Sequence, residues 1–245
     1  MANAGNIGMV RDVDFFLTDN IGTSGADGIK WVNSSDGGDT AFARAAAAGR
    51  GVHVAGATAA TDNNMLEICG DLLDTYGQNG YHSLEVLFQL DVITNIAFNI
   101  GFNDDSLDAS NTLPIELSTV TFTANAAEFV GLVFDTAATN DDAHCCWVDD
   151  TSLTGEAIAD LRMAGCSLEA AKWIMARVAL QDRGSGKGLR ATFTVAYDGK
   201  TFEKEFNTTI DRDAALVPYI GFENRTASAH NVYIKYIARE QAIAD

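Results

Sequence analysis

The sequence predicts an all-β protein: a sandwich of two antiparallel sheets, with a short helix and an extended N-terminal arm. Three observations support this. Apolar and polar residues alternate in about ten short runs from residue 65 onward, helical periodicity is scarce, and Asp198-Gly199 separates two alternating runs. Alternation that is rich in β-branched and aromatic residues is typical of strands with one packed and one solvated face. A chain of 245 residues, 47% of them hydrophobic, is long enough for one large β domain.

The first 60 residues differ from the rest because they are rich in Gly, Ala and Asp. Their substantial hydrophobic residues are Val13, Phe15, Phe16, Leu17, Ile29, Trp31, Val32 and Phe42. Such a stretch cannot bury enough apolar surface by itself. We therefore expect residues 1–60 to form an extended arm that lies on the domain of residues 61–245 or on a neighbouring subunit, with Trp31 as a docking residue.

The alternating runs define the strands of the main domain, and the Asp-Gly pair predicts a tight hairpin because both central residues need positive φ. The predicted strands are Met65–Cys69, Ser83–Asp91, Thr94–Asn103, Leu117–Thr123, Glu128–Asp135, His144–Val148, Trp173–Gln181, Leu189–Tyr197, Thr201–Ile210, Val217–Glu223 and Val232–Arg239.

One segment, Ser152–Gly165, has helical spacing. Ala157, Ile158 and Leu161 lie on one helical face, and Gly165 is suited to end a helix. A short helix is expected there.

The charge and the cysteines limit the partners and the compartment. The net charge is −18, with a pI of about 4.4, so the chain repels phosphate backbones and anionic membrane surfaces. We expect neither nucleic acid nor a membrane as a partner.

The N-terminus lacks a signal-peptide pattern and no apolar run reaches the roughly 20 residues of a membrane span, which favours a soluble protein made in a cytoplasm. The four cysteines show no CxxC pair and are predicted to be free thiols.

The order of these segments resembles a known family. It comprises Thr61-Asp-Asn-Asn-Met-Leu-Glu-Ile, the strands Leu84–Asp91 and Asn95–Asp104, the Tyr197-Asp-Gly-Lys hairpin and the closing Leu216-Val-Pro-Tyr-Ile-Gly-Phe-Glu-Asn-Arg-Thr-Ala stretch. This pattern resembles the concanavalin-A-like (lectin/laminarinase-type) jelly roll of tailed-bacteriophage virion proteins over roughly residues 60 to 240. The resemblance implies a two-sheet antiparallel jelly-roll sandwich, displayed on a capsid or tail surface and often trimeric.

Laminarinase-like glycosidases of this fold carry two Glu flanking an Asp at alternate positions of one strand, which sets the carboxylates on one face. Glu85 is followed at the next alternate positions by Leu87 and Gln89, so it lacks a second carboxylate on the same strand face. Glu203 and Glu205 are correctly spaced but lie beside a charged hairpin, where a solvated strand face is the better interpretation. No catalytic residue is therefore predicted, and the chain is expected not to be an enzyme.

No metal or cofactor site is predicted either. His53, His82, His144 and His230 are scattered without metal-binding spacing. The acidic segment Asn103–Asp108 resembles a calcium loop but lacks its Gly-centred frame and terminal Glu, so a polar connection is favoured. Gly184–Gly188 lacks the phosphate-binding spacing and is predicted to be a loop.

Trp147 and Trp173 lie in apolar runs and are predicted to be core residues. We accordingly expect a non-enzymatic virion protein, assembled in the host cytoplasm: a decoration (cement) protein on the capsid surface, homotrimeric, with the major capsid protein as its partner. The alternative is a glycan-binding module of a tail or fibre protein that recognises the host surface, which predicts exposed aromatic residues on one sheet.

Overall fold

A computed structural model describes residues 9–18, 21–22, 30–70, 80–105, 112–150, 152–154 and 161–242. Within these ranges the secondary structure consists of strands, and the predicted two-sheet sandwich is confirmed. Every strand pair is antiparallel except β2–β3, which is parallel. None of the described residues belongs to a helix long and apolar enough to cross a membrane.

The first sheet, sheet A, has eight strands. They are β1 (Met9–Asp14), β4 (Thr40–Ala47), β5 (Gly51–Ala57), β7 (Tyr81–Leu90), β15 (Ile174–Asp182), β16 (Leu189–Tyr197), β17 (Lys200–Asn207) and β19 (Asn231–Ala242). Their order is β17-β16-β15-β7-β19-β5-β4, and β1 pairs with the C-terminal half of β19. The predicted Asp198-Gly199 turn joins β16 to β17 with φ values of 49° and 76°.

The second sheet, sheet B, has nine strands. They are β2 (Ile21–Gly22), β3 (Trp31–Ser35), β6 (Met65–Gly70), β8 (Ile96–Asn103), β11 (Phe129–Asp135), β12 (Asp142–Asp149), β13 (Ser152–Thr154), β14 (Arg162–Ser167) and β18 (Val217–Asn224). Their order is β13-β12-β11-β8-β18-β6-β3-β2, and β14 also pairs with β12. A separate hairpin, β9 (Ile115–Ser118) and β10 (Thr121–Ala124), completes the set.

The main core lies between the two sheets. The alternate residues of β7 that were predicted to face inward, including Phe88, are fully buried. Phe88 lies 5.3 Å from Phe98 of β8 and 5.5 Å from Phe222 of β18 between ring centroids, and Phe98 stacks on Phe134 at 5.2 Å. Burying each such ring contributes about 1.5–3 kcal/mol.

The outer face of sheet B is covered as well, by the β9–β10 hairpin. Asn99 lies on the polar side of the alternating run Thr94–Asn103, which is typical of a solvated strand face, yet it is fully buried: its side chain donates to the Ile115 carbonyl oxygen at 3.0 Å and accepts from the Ile115 amide at 2.8 Å. Phe122 of the hairpin and Tyr219 of β18 join a second apolar cluster there. The predicted solvated face of β8 is therefore wrong, because a segment distant in sequence satisfies its polar groups.

The short helix predicted at Ser152–Gly165 is not found in the described part of that segment. Ser152–Thr154 forms β13 and Arg162–Ser167 forms β14, while residues 155–160 lie outside the described residues. The Cys145 amide donates to the Leu161 carbonyl oxygen at 2.9 Å, and Leu161 is buried. Pairing with β12 overrides the weak local helical preference.

The described part of residues 1–60 lies on the main domain, one of the two places expected for it, but it forms strands of both sheets rather than an extended arm. β3 pairs with β6 and β5 pairs with β19, so the expected boundary near residue 60 separates strands that are hydrogen-bonded to each other. Trp31 is fully buried, and Phe16 and Phe42 are almost so. The few apolar residues suffice because strands from later in the chain supply their hydrogen-bond and packing partners. Ile29 lies outside the described residues.

Candidate functional site

A cluster of acidic side chains lies beneath the β9–β10 hairpin, on the outer face of sheet B. Asp135 of β11 and Glu223 of β18 both pair with Ala97 of β8, one from each side. The small Ala97 side chain leaves space for the Arg225 guanidinium, which donates to Asp135 Oδ2 from Nε at 3.0 Å and from Nη2 at 2.5 Å. Its Nη1 donates to Glu223 Oε1. The side chains of Asp135 and Glu223 are each only 1% exposed.

Two further carboxylates lie around this pair. Glu116 of the hairpin is 3.9 Å from Arg225 Nη1. Glu67 of β6 is buried and accepts a hydrogen bond from the Tyr219 hydroxyl at 3.3 Å. Burial, reinforced by the negative charges of Glu116 and Asp135, raises the pKa of Glu223 to about 7, although Arg225 acts in the opposite direction.

Asn224, which lies between Glu223 and Arg225 in the sequence, links the segment that follows β5 to the loop that follows β18. Its Nδ2 lies within hydrogen-bond distance of four backbone carbonyl oxygens: Ala59 at 3.0 Å, Thr61 at 2.6 Å, Thr226 at 3.0 Å and Ser228 at 3.2 Å. The closing motif therefore has a structural role: it holds the end of β18 in sheet B. Glu223 of this motif and Asp135 of β11 both contact Arg225 under the hairpin, so this arrangement stabilises the fold, and the two carboxylates do not form an open pair for acid–base chemistry.

The residues weighed for catalysis do not come together. Glu203 and Glu205 lie on the exposed edge strand β17, as predicted, where Glu203 accepts from the Thr194 hydroxyl at 3.2 Å and Glu205 is 3.5 Å from Arg190. Glu85 lies on the open face of sheet A, far along the sheet from β17.

The residues weighed for metal or cofactor binding are also separate. All four histidines are buried, and the described residues contain no group of three or more side chains suited to a metal ion. Of the acidic segment Asn103–Asp108, only residues 103–105 are described; the Asp104 carboxylate accepts from the Glu128 amide at 3.2 Å. Gly184–Gly188 forms the loop between β15 and β16, as predicted.

The cysteines and tryptophans have mainly packing roles. All four cysteines are free and buried, as predicted. Burial raises the pKa of the Cys166 thiol to about 12. Trp147 is a core residue, as predicted, whereas Trp173 is partly exposed.

The second feature is the outer face of sheet A, which no described element covers. Because Leu84, Val86, Phe88 and Leu90 face the core, alternation places the side chains at positions 83, 85, 87 and 89 of β7 on this outer face. The register then aligns Arg177 with Glu85 and Ala238, and Met175 with Leu87 and Tyr236.

A network of charged and hydroxyl groups occupies the centre of this outer face. Arg177 Nη2 donates to the Tyr81 hydroxyl at 2.7 Å and to Glu240 Oε2 at 3.2 Å. The Tyr236 hydroxyl donates to Glu85 Oε1 at 2.7 Å. Burial, together with the Glu85 carboxylate, raises the pKa of Tyr236.

Aromatic rings surround this network. Phe15 lies 5.7 Å from Tyr236 between centroids, and the Arg50 guanidinium lies 3.9 Å from the centre of the Tyr233 ring. Arg50 Nε also donates to Gln89 Oε1 at 2.7 Å. The face thus combines flat apolar surfaces with hydrogen-bond donors and acceptors. Sequence reasoning missed it because its residues come from β7, β15, β19, the segment after β1 and the turn between β4 and β5, and only the strand order brings them together.

Solved structures resemble this fold. A protein of unknown function from Shewanella oneidensis MR-1 superposes with a TM-score of 0.60 at 12% identity, over 96% of this chain and 87% of its own. Peanut lectin gives 0.56 at 10% identity, over 97% and 99%. Alginate lyase vAL-1 from Chlorella virus gives 0.50 at 9% identity, over 87% and 94%. The sequence matches no protein-family profile and no curated protein.

These likenesses show that the fold is concanavalin-A-like, as the resemblance implied. At these identities they show the fold alone. One of the proteins is a lectin and another is a lyase, so the fold is compatible both with carbohydrate binding and with catalysis.

Proposed function

We propose that this chain is a non-enzymatic structural protein of a tailed-bacteriophage virion, a decoration protein that binds the major capsid protein on the outside of the head as a homotrimer. The resemblance of the closing motif to phage virion proteins motivates the assignment. The observation that supports it most is the structural role of that motif: Arg225 binds Glu223 and lies 3.9 Å from Glu116 of the β9–β10 hairpin, and Asn224 binds backbone carbonyl oxygens, so all three residues stabilise the fold.

The surface is also suited to a structural role. The described residues bring no catalytic carboxylate pair into an open cleft, while Phe15 lies against Tyr236 on the outer face of sheet A with 50% of its surface exposed, and Leu17, two residues later, is 71% exposed. Exposed large apolar side chains are typical of protein interaction surfaces.

The location of the chain in the particle tests this proposal. In particles purified from the phage that encodes it, we expect mass spectrometry to detect the chain, and gold-labelled antibodies to bind it on intact heads. As a control, antibodies against an internal head protein should label only opened particles. Absence from mature particles, or labelling only after opening, would contradict the proposal.

A second candidate is a glycan-binding module of a tail or fibre, favoured by the Tyr233 and Tyr236 rings on the outer face of sheet A. Aromatic rings beside hydrogen-bonding groups are a common sugar-binding arrangement. This candidate predicts micromolar-to-millimolar binding on a glycan array. The substitution Tyr233→Ala should abolish that binding, whereas Glu205→Gln on the distant strand β17 should leave it unchanged. An array without any specific signal would exclude this function.

A further inference from the structure

An apolar band crosses the outer face of sheet A. It consists of Phe15, Tyr236, Leu87 and Met175, and the exposed Leu17 follows Phe15 in the chain. Leu87 pairs directly with Met175 on one side and with Tyr236 on the other. Phe15 lies against the Tyr236 ring, and the buried Phe16 separates Phe15 from Leu17. The band therefore extends across β15, β7, β19 and the segment that follows β1.

Arginines surround this band. Arg44 Nη1 donates to the Leu17 carbonyl oxygen at 2.8 Å, and the side chain of Arg11 is 56% exposed. With Arg50 over Tyr233 and Arg177 beside Glu85, four arginines lie on or beside this face. Among the described carboxylates near the band, Glu240 lies 3.4 Å from Arg11 and 3.2 Å from Arg177, and Glu85 lies 3.9 Å from Arg177. The positive charge that these pairs leave unmatched comes from Arg44 and Arg50, on a chain whose net charge is −18.

Negative charge is concentrated at one end of sheet B. The Asp104 amide donates to the Glu128 carbonyl oxygen at 3.0 Å, and Phe129 pairs with Val148, which places Glu128 near Asp149. We call this group the acidic end: Asp104, Asp105, Glu128, Asp149, Asp150 and Asp211. Burial and mutual repulsion raise the pKa values of Asp104, Glu128 and Asp149. Residues 51–150 contain 16 Asp and Glu and neither Lys nor Arg, so this stretch supplies no cation to the acidic end.

We propose that a second copy of this chain docks on the apolar band through its acidic end, so that copies associate head to tail. Apolar side chains of the band then lose contact with water, and the surrounding arginines face the carboxylates of the neighbour. Because the two patches are different surfaces, the contact is heterologous and closes into a ring when the rotation between copies permits. A homotrimer is one such ring. This inference concerns association between copies and stands independently of attachment to a capsid.

Two variants test the two surfaces of the proposed contact one at a time. Phe15→Ser/Leu17→Ser removes the two exposed apolar side chains at one end of the band, and Asp105→Lys/Asp211→Lys reverses charge at two exposed positions of the acidic end. Each variant alone should have the mass of a 26.1 kDa monomer in light scattering, whereas the unaltered chain should be an oligomer. Mixed in equal amounts, the two variants should form a heterodimer, since one intact band and one intact acidic end remain.

The controls address folding and specificity. Far-UV circular dichroism should be the same for both variants and the unaltered chain, because all four substitutions lie on the surface. Val120→Ser removes another exposed hydrophobic residue, 49% exposed on the β9–β10 turn, and should leave the oligomer intact. Added salt should weaken the oligomer because it screens the arginine–carboxylate attraction.

Three results would overturn the inference. The unaltered chain could be a monomer at micromolar concentration, including the case in which it binds a glycan through this face. The charge-reversed variant could remain oligomeric, which would indicate a symmetric band-to-band contact. The mixture could fail to form a heterodimer. None of these results bears on whether the chain is present on virions, which mass spectrometry and antibody labelling test. A monomer would overturn this inference and the homotrimer of the proposed function, and would leave the location on the head standing.

Discussion

Replacing Arg225 with methionine should lower the free energy of unfolding by about 3–5 kcal/mol, the range for removing one partner of a buried ion pair. Arg225 is the cation that contacts Asp135 and Glu223, whose side chains are each 1% exposed. Methionine preserves most of the apolar volume but leaves two buried carboxylates without their donor. Urea unfolding, followed by the fluorescence of the buried Trp31 and Trp147, measures the loss.

A matched substitution on the open face provides the control. Arg177→Met breaks contacts with Glu240 and Tyr81, but the side chains of Arg177 and Glu240 are 30% and 26% exposed, so water replaces the lost bonds. It should reduce the free energy of unfolding by no more than about 1 kcal/mol. Arg225→Lys keeps the charge and should fall between the two. Equal losses of unfolding free energy for Arg225→Met and Arg177→Met would show that the buried Arg225 cluster contributes no more to stability than the exposed ion pair.

Glu223 should make stability depend on pH between about pH 4.5 and 7. Its pKa is raised by burial from 4.5 to about 7 in the folded protein, so the folded state holds a proton that the unfolded state releases. The contribution is therefore complete below pH 4.5 and is lost as the pH rises through 7. At 1.36 kcal/mol per pKa unit it is on the order of 3 kcal/mol.

The variant Glu223→Gln isolates this contribution, because glutamine resembles the protonated acid and does not ionise. The stability of Glu223→Gln relative to the unaltered chain should rise by on the order of 3 kcal/mol from pH 4.5 to pH 8. Carboxylates outside this cluster affect both proteins equally and cancel in the difference. Glu205→Gln, at a side chain 55% exposed, should show a difference that does not change with pH. A flat difference for Glu223→Gln as well would refute the assignment of the proton to Glu223.

Sequence patterns predicted most strands after residue 65 because alternation is a local property of the chain. The runs at Ser83–Asp91, Leu189–Tyr197 and Val217–Glu223 all correspond to strands, with each boundary correct to within two residues. The Asp198-Gly199 turn was predictable for the same reason, since the required φ values depend on those two residues alone.

Prediction failed where burial depends on distant segments. Asn99 has the polarity of a solvated position, yet Ile115 satisfies both ends of its amide. The Ala-rich strand β4 and the polar strand β3 are weak strands by themselves; β4 forms because it pairs with β5, and β3 forms because it pairs with β2 and β6. The acidic cluster could not be predicted because Glu67, Asp135 and Glu223 come from three strands far apart in sequence.

By itself, the sequence determined that the chain is a β sandwich, where most of its strands lie, that its cysteines are unpaired and that its charge is strongly acidic. Only the tertiary structure decided which faces of the strands meet water, which carboxylates share Arg225 and which residues form the apolar band. The reason is that alternation and turn chemistry act over two to ten residues, whereas burial and charge pairing depend on the order of strands in the sheets.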